Sequence, residues 1–133
     1  MTGVQTCALP ISRLGGHLVA GHVDGIGAVQ AVSGAGEERV LTIRLPADLA
    51  RFVAPKGSIA VDGVSLTVVA AEGGSVSVSL IRHTLAATTL SLRAVGDPVN
   101  LEVDLIARYL DRLLQGGGQG DGLSLARMRE LGF

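Results

Sequence analysis

Short apolar runs broken by glycine set the rhythm of the chain from Arg13 to Asp104. Residues 18–23 and 26–32 read as two strands around a turn. Residues 39–45 alternate, with Val40, Thr42 and Arg44 against Leu41, Ile43 and Leu45, which predicts a half-buried strand. Residues 58–61 and 65–71 read as strands joined by Asp62-Gly63, a dipeptide suited to a tight hairpin turn. Glu72-Gly-Gly-Ser75 turns the chain into a strand over 76–81, and Gly96-Asp97-Pro98 introduces a last one over 99–103. Residues 33–38 read as a loop. Residues 46–53 begin with proline at a first helical position and predict a short helix, and 84–90 predict one helical turn.

After Asp104 the period changes. Leu105, Ile106, Tyr109, Leu110, Leu113 and Leu114 recur at spacings of three and four, one face of a helix that packs on the domain or on another subunit. Asp104 stands at its N-cap. The glycine-rich run 115–122 ends that helix and reads as flexible, and 123–133 read as a short terminal helix. About six short strands at close spacing predict an all-β protein, a six-stranded barrel, closed or partly open, followed by a C-terminal α-helix. The chain divides into a tail over 1–12, the barrel over 13–104, and the helix with its tail over 105–133. The N-terminal tail (MTGVQTCALPIS) lacks the periodicity of the barrel segment. It reads as a translated cloning scar, with a natural frayed terminus as the alternative.

Composition narrows the function classes. The 133 residues suffice for one domain with a real core. Lys+Arg 11 against Asp+Glu 12 leaves no basic field for nucleic acid or anionic membrane. Aromatics are only 2% of the chain, so the core must be aliphatic, and base stacking on single strands is disfavoured. The single cysteine, Cys7, can form neither an internal disulfide nor a thiolate metal site. No apolar run has membrane-spanning length and no secretory pattern is seen, so the reduced cytoplasm is the default.

The densest chemistry lies in Arg13-Leu-Gly-Gly-His-Leu-Val-Ala-Gly-His-Val-Asp-Gly25, where His17 and His22 each follow a glycine. Glycine permits close approach of backbone and ligand, and imidazoles carry protons near neutral pH. Either histidine could equally be a hydrogen-bonded structural one. Zinc is disfavoured, because His83 is the only other histidine and no metal spacing is present. Asp24 and Asp62 precede glycine and read as turn residues. Ser65 and Thr67 share one strand face, where two hydroxyls could pair with a heterocycle edge or be ordinary surface groups. Asp104 could cap its helix, orient a reacting group, or both. Lys56 could be a solvated turn lysine, and Arg82 and Arg108 read as surface charges.

Further anchors recur in order: Lys56-Gly-Ser-Ile-Ala-Val-Asp-Gly-Val-Ser-Leu-Thr-Val68, Leu80-Ile-Arg-His-Thr-Leu85 and Val99-Asn-Leu-Glu-Val-Asp104. Together with the Gly-His segment, they resemble the C-terminal lumazine-binding half of riboflavin synthase of the alpha-chain type, over roughly residues 13–114. The resemblance implies a six-stranded Greek-key barrel, one of two similar barrels in a chain that assembles as a homotrimer. It implies that two molecules of 6,7-dimethyl-8-ribityllumazine meet between barrels of different subunits. One donates a four-carbon unit to the other, giving riboflavin and 5-amino-6-ribitylaminouracil, with no metal or redox cofactor. By the same resemblance Gly21, His22 and Val23 line the ligand, Lys56 approaches it, Ser65, Leu66 and Thr67 border the heterocycle, and Ser79, Leu80, Ile81, Arg82, His83 and Thr84 complete the pocket. His17, His22 and Asp104 match proton-handling and orienting positions.

Arg82 departs from the resemblance, standing where proline is usual. No second copy of the Gly-His or Ser-Leu-Thr-Val pattern is found, so on this reading the partnering barrel is not encoded in these residues. The alternative is a non-catalytic lumazine- or flavin-binding module. A flavin barrel of an oxidoreductase is weaker, since no Gly-x-Gly-x-x-Gly pattern accompanies it.

Overall fold

The computed structural model describes residues 17–116, 125–130 and 132. Six strands, β1 (Gly25–Ser33), β2 (Glu38–Arg44), β3 (Ser58–Val61), β4 (Val64–Glu72), β5 (Ser75–Ile81) and β6 (Pro98–Val103), close into a barrel in the order β1-β2-β5-β4-β3-β6. Every neighbouring pair is antiparallel, and the non-sequential order makes the path a Greek key. Closure pairs each strand with two neighbours, and β4 and β5 part before their ends, beyond Val68↔Val78. Bulges between Val29 and Ala31 and between Val68 and Ala70 sharpen the twist that closure requires.

The core follows from strand alternation. Val76, Val78 and Leu80 of β5 meet Leu41 and Ile43 of β2 inside, and Val29, Ile59, Val61, Leu66, Val68, Val99, Leu101 and Val103 complete an aliphatic cluster. Leu49 and Leu90 enter that cluster from the connections between β2 and β3 and between β5 and β6. Gly27 is dictated by sterics. A Cβ there would lie 2.7 Å from the Arg44 carbonyl oxygen and under 3.0 Å from Leu101 and Ile43 side-chain atoms.

The Asp62-Gly63 hairpin forms as expected, with both residues at positive φ (48° and 78°). Asp62 also accepts hydrogen bonds from Arg93 Nε and Nη2 and from the Asn100 amide, tying the β5–β6 connection to this turn.

Several expectations are corrected. Residues 18–23 are not a strand. β1 already pairs with β6 from Gly25↔Leu101 to Ala28↔Pro98, so the closed barrel leaves no edge for them, and they run as an irregular strap. Asp24 is not a turn residue. Its carboxylate accepts the Val103 amide at 2.8 Å and an Arg108 Nη2 bond at 2.7 Å. Residues 46–53 form only a 3₁₀ turn at Ala50–Phe52, and α1 (Arg82–Ala87) begins before residue 84. The 1–12 tail and the 115–122 run fall wholly or largely outside the described residues. With α2 spanning Leu105–Gly116, the helix α3 within 123–133 spans Leu125–Glu130.

Helix α2 contains no buried residue, so its apolar stripe is not part of the barrel core. Polar contacts hold it to the barrel. Arg51 pairs with Asp111, and Arg108 pairs with Asp24 while lying 4.7 Å over the Phe52 ring. Arg108 is therefore a docking residue rather than a free surface charge. No helix among the described residues is long and apolar enough to cross a membrane.

Candidate functional site

Several of the candidate residues gather on the outer face of β4, β3 and β6. Register sets Ser65, Ala60 and Glu102 abreast on one row, and Thr67 beside Ser58 on the next. The β3–β6 pairing ends at Ile59↔Val103, and Asp104 follows directly after that last pair. The strap of residues 17–24 crosses the first row. His17 Nδ1 and Ser65 Oγ share a 2.6 Å hydrogen bond, and the amides of Ala20 and His22 donate to the two Glu102 oxygens at 3.0 and 2.9 Å. Ala60, between those anchors, is fully buried although it points out of the barrel.

This geometry gives the two histidines different characters. His17 is held, and its Nε2 is buried without a hydrogen-bond partner among the described residues. If Ser65 donates to Nδ1, Nε2 carries the proton; if Nδ1 donates, Nε2 is a bare acceptor. His22 has an exposed side chain, and only its backbone is fixed. Asp104 Oδ1 accepts the Ile106 amide at 3.0 Å, so it caps α2 directly after β6 ends.

The remaining candidates divide. Thr67 and Ile81 are exposed, and Ser65 and Ser79 are half-buried, with outward side chains. Leu66 and Leu80 face the barrel core, at 6% and 0% exposure, and can offer a ligand only their backbone. β4 pairs with β5 only from Val68↔Val78 to Glu72↔Ser75, so residues 65–67 and 79–81 lie beyond the end of that ladder. Lys56 sits exposed at φ 67°, its amide bonded to the Val68 carbonyl at the mouth of β3. Ser79 donates to Glu38 at 2.8 Å and Arg82 pairs with Glu37, which places the β1–β2 loop against this rim. Arg82, His83 and Thr84 form the start of α1. A shallow hollow of about 290 Å³, lined by Thr42, Ala70, Glu72, Ser75 and Ser77, lies apart from these groups on the outside of β2, β5 and β4.

Sequence reasoning missed Glu102, the one buried charged residue among the described residues. The signal was present. A carboxylate between Leu101 and Val103 in a strand apolar on both sides needs an internal donor.

The chain is thus an antiparallel Greek-key barrel whose outer face over β4, β3 and β6 is crossed by a Gly-His strap. Residues 20–104 match the lumazine binding domain family, and the chain belongs to that family. It is 49% identical over 110 residues to a riboflavin synthase of Mycobacterium tuberculosis, covering 80% of this chain and 55% of that protein. It is 41% identical over 111 residues to the riboflavin synthase of Photobacterium phosphoreum, covering 84% and 51%. The chain thus spans about half the length of the curated relatives it matches. Among solved structures it is similar to LumP complexed with 6,7-dimethyl-8-(1'-D-ribityl) lumazine, with TM-score 0.61 and 31% identity over 65% of this chain and 48% of that one. LumP complexed with riboflavin aligns with TM-score 0.58 and 32% identity over 61% and 44%.

Proposed function

We propose that the outer face of β4, β3 and β6 binds 6,7-dimethyl-8-ribityllumazine and that the chain is a lumazine-binding barrel of a riboflavin synthase. The observation that carries this reading is the coincidence of the family match with the His17–Ser65 anchor beside the open end of the β4–β5 ladder. A pteridine edge both donates and accepts hydrogen bonds. Ser65 and Thr67 hydroxyls, with backbone groups beyond Val68 and Val78, offer complementary partners. Gly21, His22 and Val23 would close over the ring, with Lys56 and residues 79–84 at the rim.

The chemistry is transfer of a four-carbon unit between two lumazines, giving riboflavin and 5-amino-6-ribitylaminouracil. It begins with loss of a proton from an acidic ring methyl, and that carbon then attacks the second lumazine. His17 or His22 would take the proton, typically contributing ~10²–10⁴-fold, and Asp104 would orient the reacting pair. Holding two lumazines face to face converts a random encounter into an oriented one. The second lumazine would come on another barrel, in a cytoplasmic trimeric assembly whose contacts include the α2 stripe. A second reading, a lumazine- or flavin-binding module without turnover, is favoured by the likeness to LumP complexes with riboflavin and with the lumazine.

The test is to incubate the purified chain with 6,7-dimethyl-8-ribityllumazine, follow riboflavin by chromatography, and titrate binding by ligand fluorescence. Riboflavin above the uncatalysed rate establishes a synthase site formed by this barrel with itself. Binding without turnover supports the module. Absence of binding by folded protein overturns both.

A further inference from the structure

We infer that Glu102 is the positioning residue of the site, a buried carboxylate clamp that holds the Gly21–His22–Val23 strap in its ligand-facing conformation. The proposal rests on the ligand-binding reading above and adds a residue to it. Glu102 is only 7% exposed. Among the described residues it has no ion-pair partner. Burying a carboxylate without a cation is costly unless its oxygens accept hydrogen bonds. Here each oxygen takes one backbone amide, Oε2 from Ala20 and Oε1 from His22.

These two amides flank Gly21, which is left-handed at φ 79°. Amides on either side of a left-handed residue converge on one concave face, an arrangement that binds anions. The anion is the protein's own side chain, delivered from β6. The strap has no strand pairing to hold it. Glu102 works with the His17–Ser65 bond on one side and the Asp24–Leu101 backbone bond of 2.8 Å on the other. Between these anchors the backbone of His22 is fixed while its imidazole stays outside. The direction in which His22 points is therefore set by a residue that touches no ligand.

Glu102→Gln is the informative change. A neutral amide keeps the size but presents an acceptor to one backbone N–H and a donor to the other, so one charge-assisted bond is lost and one contact turns repulsive. The experiment uses the full chain and reads amide exchange by NMR together with binding of 6,7-dimethyl-8-ribityllumazine. In the parent chain, the Ala20 and His22 amides should exchange at least about tenfold more slowly than those of Gly21 and Val23. If all four exchange alike, the clamp is overturned without recourse to a variant. In E102Q the Ala20 and His22 protection should disappear, core amides such as Leu41 and Val78 should stay protected, and binding should weaken about 10- to 100-fold. Unchanged binding with a freed strap overturns the positioning role. If E102Q does not fold, E102D is read in the same way, its carboxylate retained but too short to reach both amides. A parent chain that folds and shows the protected pair yet does not bind the lumazine overturns the ligand-binding reading, and with it the clamp's role in binding, while leaving the clamp itself established.

Discussion

At the scale of single residues, the outer face of this barrel separates groups that are held in place from groups left exposed. His17 is anchored to Ser65, whereas the His22 imidazole is exposed and only its backbone is held. Replacing His22 with Ala should therefore leave the unfolding free energy within about 0.5 kcal/mol. Riboflavin formation, where the chain supports it, should fall about 10²-fold or more. Denaturant titration and the turnover assay on the same preparation check this, and equal loss of both would remove the catalytic assignment. Gly27 is the opposite kind of position. Gly27→Ala should destabilise the chain by about 1–3 kcal/mol, because a Cβ meets the Arg44 carbonyl and two packed side chains of β2 and β6. An unchanged denaturation midpoint would show that the β1–β2–β6 junction can relax.

Element by element, the barrel strands and their tight turns were legible, and the strap and the helix docking were not. The alternation in residues 39–45 and 76–81 and the Asp62-Gly63 turn mark β2, β5 and the β3–β4 hairpin, because each rests on local pattern and turn chemistry. The run 18–23 has strand composition but no free edge once β1 and β6 pair, and an apolar run alone does not reveal which edges remain open. The same blindness covered Asp24 and Arg108, which read as turn and surface residues but jointly dock α2. Arg108→Ala should cost about 1 kcal/mol, discounted for its partial exposure. It should also speed amide exchange through α2 while leaving β-strand protection intact. Exchange that rises equally in strands and helix would mean that α2 is integral to the barrel's stability.

For the molecule as a whole, the barrel completes its own core and leaves α2 with an uncovered stripe. Ile106, Tyr109 and Leu114 are 65%, 67% and 61% exposed, a contiguous apolar surface of the kind that marks an association site. Under the proposed trimeric assembly, Leu113→Glu should shift the sedimentation coefficient to that of a monomer with unchanged far-ultraviolet circular dichroism. A parent chain that already sediments as a monomer would remove the assembly proposal. The candidate site has the same whole-molecule character. Its outer rows combine residues of three strands with the strap, up to 85 positions apart between His17 and Glu102.

The sequence by itself determined the barrel class, most strand positions, the aliphatic core and the family to which the ordered anchors belong. These depend on local periodicity, on turn residues, and on motif identity and order. Tertiary structure alone decided that residues 18–23 become a strap, that Ser65 shares an outer row with Ala60 and Glu102, and that Glu102 accepts the strap amides. The reason is physical. Barrel closure decides which edges are open, and register decides which distant side chains share a row. A buried carboxylate finds its partners only after both are settled.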